Sequence, residues 1–330
     1  MRKVTIKDVA KAAGVSRALV SIAYRGVSGV SESTKHMIFD VGNRLGYVPN
    51  LNAARLASKG LKTIGVFLQD LHNETFADVF DGIRSVINEK EVQLVLAVGS
   101  AKSGRDSAAL ETLIASRVDV LIAAGLTMSD SELEAFTRRT KLISVTRKVE
   151  GAVSVTANDI EGAKLATEHL IALGHTSIAF LANPQTDGYR ERLAGFEAVM
   201  RKHKLKPLVL ESSYLRSEAE ADAGNLIDSQ KPTAIFAHND QAALGVLDAL
   251  VARNLRPGID VSVVGYDNSS LSQTPVLALT TVDPHSFELG EKSGLIALDL
   301  LKENESNEQL VVLSPLLVQR ASTGNYFLAP

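Results

Sequence analysis

The 330-residue chain contains no cysteine, and this absence excludes several kinds of protein. Without cysteine the chain forms neither disulfides nor thiolate metal sites, as is typical of a reducing compartment. No apolar run in the sequence approaches the roughly 20 residues that a membrane-spanning helix needs. The basic residues at the N-terminus are not followed by the hydrophobic segment of a secretory signal. We therefore expect a soluble protein of the cytoplasm.

The sequence also lacks the motifs of common catalytic and cofactor sites. Its seven histidines are scattered without the spacing of metal ligands. Neither a G-x-G-x-x-G motif nor a Walker-type glycine loop is present. His238 lies next to Asn239 and Asp240, but no serine elbow or cysteine nucleophile accompanies it, and a structural role is commoner for such a histidine. These patterns predict a protein that is not an enzyme and has no cofactor or metal.

Charge is divided unevenly along the chain. Residues 1–60 contain ten Lys/Arg and three Asp/Glu, a net charge of +7, whereas the whole chain has a net charge of −3. Residues 61–330 therefore have a net charge of −10. A basic segment suits a phosphate backbone, which would repel the acidic remainder. With 45% apolar residues the chain can also bury more than one core.

Residues 5–16, with the sequence TIKDVAKAAGVS, have the pattern of a helix-turn-helix. Apolar residues recur at helical spacing from Ile6 to Ala13, which predicts a first helix with one buried face. Gly14 can adopt the left-handed conformation of a tight turn. Ser16 can then cap the next helix by accepting a hydrogen bond from a free amide. This arrangement indicates binding to DNA.

The second helix is predicted from Arg17 to Tyr24, with its first turn in the DNA major groove. Arg17 could donate two hydrogen bonds to a guanine edge, while Ala18 and Ile22 offer apolar contacts, for example to a thymine methyl group. A phosphate contact or a solvated charge is the alternative for Arg17. The expected core residues in and around this helix are Val15, Leu19 and Val20.

A third helix is predicted to begin after Ser31, its N-cap, and to end at Gly46. Thr34 lies in the first turn, where its hydroxyl and that of Ser31 could reach a phosphate. The apolar residues expected to close the three-helix core are Met37, Ile38, Val41 and Leu45.

The next segment, residues 50–60, is rich in alanine and begins with a possible cap, Asn50. It has about nine residues before Gly60, and so short a helix is marginal in water unless something packs against it. The alternative is a frayed linker.

Residues 4–60 resemble the DNA-binding head and hinge of the LacI/GalR family of bacterial transcriptional repressors. The resemblance is based on several blocks at family spacing, including TIKDVA at 5–10, AGVS at 13–16 and LGYVPN at 45–50. It implies that Leu56 from each of two subunits inserts into the minor groove and kinks the DNA. The sequence departs from the family pattern at Tyr24-Arg25 and at Ala54, so its operator sequence cannot be taken from that of a relative. The predicted DNA-binding residues are Thr5, Ser16, Arg17, Ala18, Ser21, Ile22, Arg25, Ser31, Thr34, Asn50, Ala53 and Leu56.

From Thr63 onward, apolar strand-like runs alternate with helical patterns, which predicts parallel sheets covered on both faces. Two such sets of similar length indicate two α/β lobes with a cleft between them. This region resembles the core of the same family, which is similar to periplasmic sugar-binding proteins. The stretches that match include RERLAGF at 190–196, HND at 238–240 and VSVVGYD at 261–267.

The resemblance implies an effector site in the cleft, where a guanidinium, an amide and a carboxylate can hold vicinal hydroxyls. Capping of the following helix is the preferred role for Asp240, and a turn role is the alternative for Asp267. Departures from the sugar-responsive pattern at Thr146, Gly188, Pro284 and Ser286 weaken any assignment of a particular sugar. The predicted effector-binding residues are Thr75 and Phe76, expected on the loop after the first strand, with Thr146, Arg192, Asn239 and Asp267.

The expected fold is an all-α helix-turn-helix head of three helices plus a hinge helix, joined to an α/β core of two parallel-sheet lobes. Expected boundaries are 1–49 for the head, 50–61 for the hinge and 62–330 for the core. The core divides into a first lobe of about 62–157 and 285–313 and a second of about 158–283 and 314–330. Because no leucine heptads follow residue 323, we expect a homodimer whose two heads read two half-sites of a pseudo-palindromic operator.

The expected function is a transcriptional repressor, located with the bacterial nucleoid in the cytoplasm and controlled by a small molecule, expected to be a carbohydrate. The alternative from another class is a cytoplasmic sugar-sensing protein whose head no longer reads specific DNA.

Overall fold

The computed structural model describes residues 4–25, 29–48, 62–88, 92–100, 106–213, 215–302 and 309–326. The chain divides into two compact units, residues 1–62 and residues 63–330. The hinge residues predicted to bind DNA, Asn50, Ala53 and Leu56, lie outside the described residues.

The smaller unit contains three helices, α1 (Ile6–Ala13), α2 (Arg17–Arg25) and α3 (Glu32–Leu45). Gly14 ends α1 in the left-handed conformation with φ of 68°, and this lets α2 start three residues later. The helix-turn-helix predicted from the sequence is thus confirmed.

The core of the smaller unit is formed by Val9, Ala10, Val20, Ala23, Ile38 and Val41, with Val15 and Leu19 partly buried against it. Two of the residues expected to close this core do not do so, because Met37 is 40% exposed and Leu45 is 39% exposed. The reason is length, since α3 has 14 residues and packs against helices of eight and nine residues. The apolar stripe of α3 is therefore longer than the surface that α1 and α2 can cover.

The larger unit alternates strands and helices in chain order. Its elements in the described residues are β1 (Lys62–Leu68), α4 (Glu74–Val86), β2 (Val92–Val98), α5 (Asp106–Ala115), β3 (Val120–Ala124), α6 (Asp130–Thr137), β4 (Lys141–Val145), β5 (Val153–Ala157), α7 (Asp159–Ala172), β6 (Ile178–Ala182), α8 (Tyr189–Lys202), β7 (Leu208–Glu211), α9 (Arg216–Gln230), β8 (Ala234–Ala237), α10 (Asp240–Val251), β9 (Ser262–Tyr266), a 3₁₀ turn (Leu271–Gln273), β10 (Thr280–Asp283), α11 (Ser286–Leu301), β11 (Leu310–Leu313) and β12 (Leu316–Val318).

These strands form two six-stranded sheets, one in each lobe. The first lobe has the order β11-β5-β4-β3-β1-β2, and the second has the order β12-β10-β9-β8-β6-β7. Apolar side chains cover both faces of each sheet, as in β3, where all five residues are buried. The predicted parallel sheets are confirmed, with one exception at an edge, where β12 runs antiparallel to β10.

The lobes are interleaved along the chain. The chain enters the second lobe after β5, returns to the first lobe between β10 and α11, and crosses again between β11 and β12. In the first lobe α11 packs against α4, whereas in the second lobe α7 packs against α8 and α9 packs against α10. The loops at the carboxyl ends of the central strands therefore come from both lobes.

Candidate functional site

The first turn of α2 presents its side chains to solvent. Ser16 accepts a hydrogen bond from the amide of Leu19 at 3.1 Å, as expected of the N-cap. Arg17 and Ala18 are exposed directly after it, and Ser21 and Ile22 are half-buried one turn later. Arg17 and Ala18 thus have the exposure that base contacts require.

The other predicted DNA-binding residues of the head lie at the starts of α1 and α3. Thr5 donates both its amide and its hydroxyl to the carboxylate of Asp8, at 2.9 and 2.7 Å. Ser31 caps α3 by accepting the amide of Thr34 at 3.3 Å. The free amides at a helix start favour an anion, and here they lie next to exposed hydroxyls. Arg25 is the last residue of α2.

Tyr24, a departure from the family pattern, has a structural role. Its ring lies 4.9 Å from that of Phe39 and 5.2 Å from that of Tyr47, between centroids. A Cβ at Gly42 would overlap the hydroxyl of Tyr24. Glycine at position 42 and tyrosine at position 24 therefore fit each other, and this pair holds α2 against α3.

In the larger unit, a cavity of about 50 Å³ lies between the two lobes. All six predicted effector residues line it, from both lobes. Thr75 and Phe76 were expected on a loop, and this is wrong. Both lie in the first turn of α4, because Asn73 caps that helix. The other polar residues that line the cavity were not predicted as ligand contacts; they are Gln69, Asn73, Asp159, Thr186, Asp187, His238 and Ser286.

Arg192 is the positively charged residue among the described residues of the cavity lining. Its Nε donates to Oδ1 of Asp159 at 3.0 Å, and its Nη1 donates to the carbonyl oxygen of His238 at 2.6 Å. The guanidinium also lies 3.6 Å from the centre of the Tyr266 ring. Burial would lower the pKa of Arg192, but Asp159, Tyr266 and Asp267 together raise it above its ordinary value. Arg192 is therefore held firmly as a cation.

Gly188 makes room for this ion pair. A Cβ at position 188 would lie 2.9 Å from Oδ2 of Asp159 and 3.2 Å from Nε of Arg192. Gly188 also has φ of 72°, which favours glycine. The absence of a polar side chain here thus has a packing reason.

Asp267 is 6% exposed and follows β9 with φ of 123°, a strained value for a residue with a side chain. Burial raises the pKa of Asp267 well above its usual range, and Arg192 and a hydrogen bond from Asn73 only partly oppose this. Its Oδ2 atom has no hydrogen-bond partner among the residues that the structure describes. The carboxyl group can therefore accept a donor from a ligand.

Asp240 holds the loop that carries Asp267. Its Oδ1 accepts the hydroxyl of Thr281 at 2.6 Å, and its Oδ2 accepts the amide and hydroxyl of Ser269, each at 2.8 Å. The helix cap expected from Asp240 is supplied by Asn239, whose Oδ1 accepts the amide of Ala242 at 2.8 Å. The capping role predicted for Asp240 is thus wrong.

Thr146 and Asp187 join the two lobes across the cavity. The hydroxyl of Thr146, which follows β4 in the first lobe, donates to the carboxylate of Asp187, which follows β6 in the second. Thr146 has φ of 78°, so this contact is made from a strained backbone. Burial raises the pKa of Asp187, whereas Thr146 and Arg192 lower it. A ligand that separates the lobes must rearrange this hydrogen bond.

The Nε2 atom of His238 lies 2.6 Å from the hydroxyl oxygen of Thr186, and the two atoms share a hydrogen bond whose direction depends on the histidine tautomer. Burial and the charge of Arg192 hold the pKa of His238 well below its ordinary 6.5, so the ring is neutral. In the described residues no group of three or more His, Cys, Asp and Glu side chains could hold a metal ion. Among the same residues, no helix is both long and apolar enough to span a bilayer.

Two family profiles match the chain. Residues 5–50 match the family described as bacterial regulatory proteins, lacI family, and residues 167–323 match the periplasmic binding protein-like domain. The chain is 30% identical over 329 residues to the HTH-type transcriptional regulator RegA of Clostridium saccharobutylicum, covering 97% of this chain and 99% of RegA.

Solved structures with the same fold include regulators with bound ligands. The lac repressor dimer bound to operator and the anti-inducer ONPF is similar with a TM-score of 0.81 and 29% identity, covering 98% of this chain and 99% of that chain. A LacI family transcriptional regulator from Enterococcus faecium with bound ribose has a TM-score of 0.71 and 26% identity, covering 80% of this chain and 99% of that chain.

Proposed function

The chain belongs to the LacI family of bacterial regulatory proteins, and we propose that it is a dimeric repressor whose operator binding is controlled by a small molecule in the cavity. Members of this family are DNA-binding transcriptional regulators and not enzymes. The observation that carries the proposal is the cavity between the lobes, which brings six residues from separate parts of the chain together. A regulator that responds to a ligand needs such a site.

The head is proposed to read DNA through the first turn of α2. Arg17 binds a guanine edge, Ala18 and Ile22 contact bases through apolar surface, and hydroxyls such as those of Ser16 and Ser31 bind phosphates. Since two heads are needed for two half-sites, the functional unit is a homodimer on a pseudo-palindromic operator. The lac repressor dimer on its operator supports this assembly. The protein then acts with the nucleoid in the cytoplasm.

The effector is proposed to be a carbohydrate or a related metabolite that contacts Arg192, Asn239 and Asp267. The ribose-bound relative supports this ligand class. A cavity of about 50 Å³ holds only a few water molecules, so a sugar must move side chains or lobes as it binds. Ligand and DNA then favour different lobe arrangements, and each changes the affinity for the other by the same factor.

The proposal is tested by selecting tight binders from random DNA duplexes with the purified full chain. We expect a pseudo-palindromic consensus and a 2:1 ratio of chain to duplex. Arg17→Ala should cost about 1–3 kcal/mol at one base pair of each half-site and relax the preference there. Salt-sensitive binding without any consensus would contradict the repressor and favour the sugar-sensing alternative.

The effector is sought by a thermal-shift screen of sugars and metabolites, since a bound ligand raises the melting temperature. A genuine effector must also change operator affinity, and it must lose its effect in a cavity variant. If no metabolite does both, the control of DNA binding through the cavity is refuted.

A further inference from the structure

The cavity lining contains more acidic than basic groups. Among the described residues three carboxyl groups line it, those of Asp159, Asp187 and Asp267, together with the guanidinium of Arg192, so the formal charge is −2 when all are ionised. Burial raises the pKa of Asp187 and of Asp267, so their ionised forms call for a positive partner. His238 does not change this balance, because burial and the charge of Arg192 hold its pKa well below 6.5 and leave the ring neutral. An anion in the cavity would further oppose the ionisation of these carboxyl groups, whereas a cation would favour it.

The one guanidinium is already paired. Arg192 binds Asp159 at 3.0 Å, and the two side chains are 12% and 8% exposed. Their charges offset each other within the protein. Asp187 and Asp267 are the carboxyl groups of the described lining that are not paired in this way.

Neither of these two carboxylates is in a salt bridge with Arg192. Asp187 accepts a hydrogen bond from the neutral hydroxyl of Thr146. Arg147 also acts on Asp187, but its Nη2 is bound to Asp130. Asp267 is 6% exposed, lines the cavity and has an Oδ2 atom without a partner in the described part of the chain. A buried polar atom without a partner, in a residue that lines a cavity, calls for an explanation, and a donor from a ligand supplies one.

Three ligand classes have different electrostatic consequences here. An anionic ligand, such as a sugar phosphate, would add a like charge to a site with little water. A neutral sugar would supply hydrogen-bond donors but no positive charge to favour the ionised form of either carboxyl group. A protonated amine supplies donors and the missing charge together, and charge-assisted hydrogen bonds are about twice as strong as neutral ones.

We propose, building on the repressor function above, that the effector is a hydroxyl-rich molecule with an amino group, of the amino-sugar class, and that Asp187 and Asp267 bind its ammonium group. Asp187 then has two partners in turn, the hydroxyl of Thr146 in the structure described here and the ammonium group in the complex. The ligand exchanges a bond between the lobes for a bond to itself, which couples its binding to the lobe arrangement.

The test is isothermal titration calorimetry on the full chain with matched sugars. The probes are glucosamine, galactosamine and mannosamine, each with its parent hexose, its N-acetyl derivative and the hexose 6-phosphate. We expect one hexosamine to bind roughly 30-fold or more tightly than its parent and its N-acetyl derivative, since loss of a buried charge pair has that effect. The hexose phosphates should not bind. The proposal is overturned if no hexosamine binds at millimolar concentration, or if a parent sugar or a phosphate binds more tightly.

Two variants separate charge recognition from a structural role. Asp187→Asn and Asp267→Asn should each weaken hexosamine binding roughly 30-fold while changing the affinity for the parent hexose by less than about threefold. The control is Asp299→Asn, the same chemical change on the exposed face of α11, where Asp299 pairs with Lys302. It should leave both affinities unchanged. Equal losses for hexosamine and hexose would show that the aspartates only shape the cavity.

The two proposals fail in different ways. If a neutral or anionic metabolite binds in the cavity and changes operator affinity, the repressor function stands and the amine preference falls. If operator binding has no consensus, the repressor function falls, whatever the cavity binds.

Discussion

Replacing Arg192 with alanine is expected to destabilise the larger unit as well as to alter its cavity. Arg192 and Asp159 are 12% and 8% exposed, so the substitution leaves Asp159 as a buried, unpaired carboxylate. Breaking a buried ion pair costs about 3–5 kcal/mol. The lost contact between the guanidinium and the Tyr266 ring, now 3.6 Å apart, adds to that loss. We expect a total of about 4 kcal/mol, equivalent to a decrease of ~8–16 °C in the melting temperature.

The measurement is urea unfolding of the full chain, with the transition of the larger unit followed by circular dichroism. Asp159→Asn in the same molecule removes the unpaired charge and should restore about 2 kcal/mol of the lost stability. Arg201→Ala is the matched control, because Arg201 lies on the same helix and is 66% exposed in its pair with Glu197. It should change stability by less than about 0.5 kcal/mol.

Two results would refute this reasoning. One is an Arg192→Ala protein whose stability equals that of the Arg201→Ala control. The other is a double variant in which the losses of Arg192→Ala and Asp159→Asn simply add, because additivity means that the two side chains are not coupled.

Three further predictions concern the head, the cavity and the hinge. Gly42→Ala should destabilise the head by about 1–3 kcal/mol through overlap with the Tyr24 hydroxyl, and Tyr24→Phe in the same chain should relieve it in thermal melts; an unrelieved loss would contradict the contact. Burial raises the pKa of Asp240 to about 6 from 3.8, so the folded protein binds this proton more tightly and gains stability as the pH falls from about 7 to about 4. The melting temperature of the wild type should therefore rise relative to that of Asp240→Asn on acidification, whereas parallel curves, as expected for Asp299→Asn, would contradict the raised pKa. Leu56→Ala should weaken operator binding and reduce DNA bending in a gel-shift assay, and unchanged bending would remove Leu56 from the minor groove.

The fold class and the head were predictable because their signals are local. The turn at Gly14 and the cap at Ser16 depend on residues within a few positions, and the helical period marks the face that Val9 and Ile38 bury. The helical period of apolar residues does not show how far along α3 the other two helices reach. For that reason the sequence predicts Leu45 in the core, although it is exposed.

The cavity could be predicted only in part. Arg192 and Asp267 were identified because they lie in stretches that resemble a known family. Asp187 was missed, because its partner Thr146 is 41 residues away and belongs to the other sheet. The sequence carries a partial signal at Thr146, which departs from the sugar-responsive pattern. Its contact with Asp187 becomes visible only when both sheets are placed.

The three chain crossings between the lobes limit how the larger unit can move and how it tolerates damage. Any change in the arrangement of the lobes must be absorbed in these three connections, since closure of two lobes around a ligand is taken up by a few loop or element-terminal residues. The last crossing also means that residues 310–318 supply an edge strand to each sheet. A frameshift between α11 and β11 would therefore remove an edge strand from the sheet of each lobe. The helix-turn-helix, nearly 300 residues earlier, would keep its own core. Alleles of that kind are expected to separate DNA contact from control by metabolites.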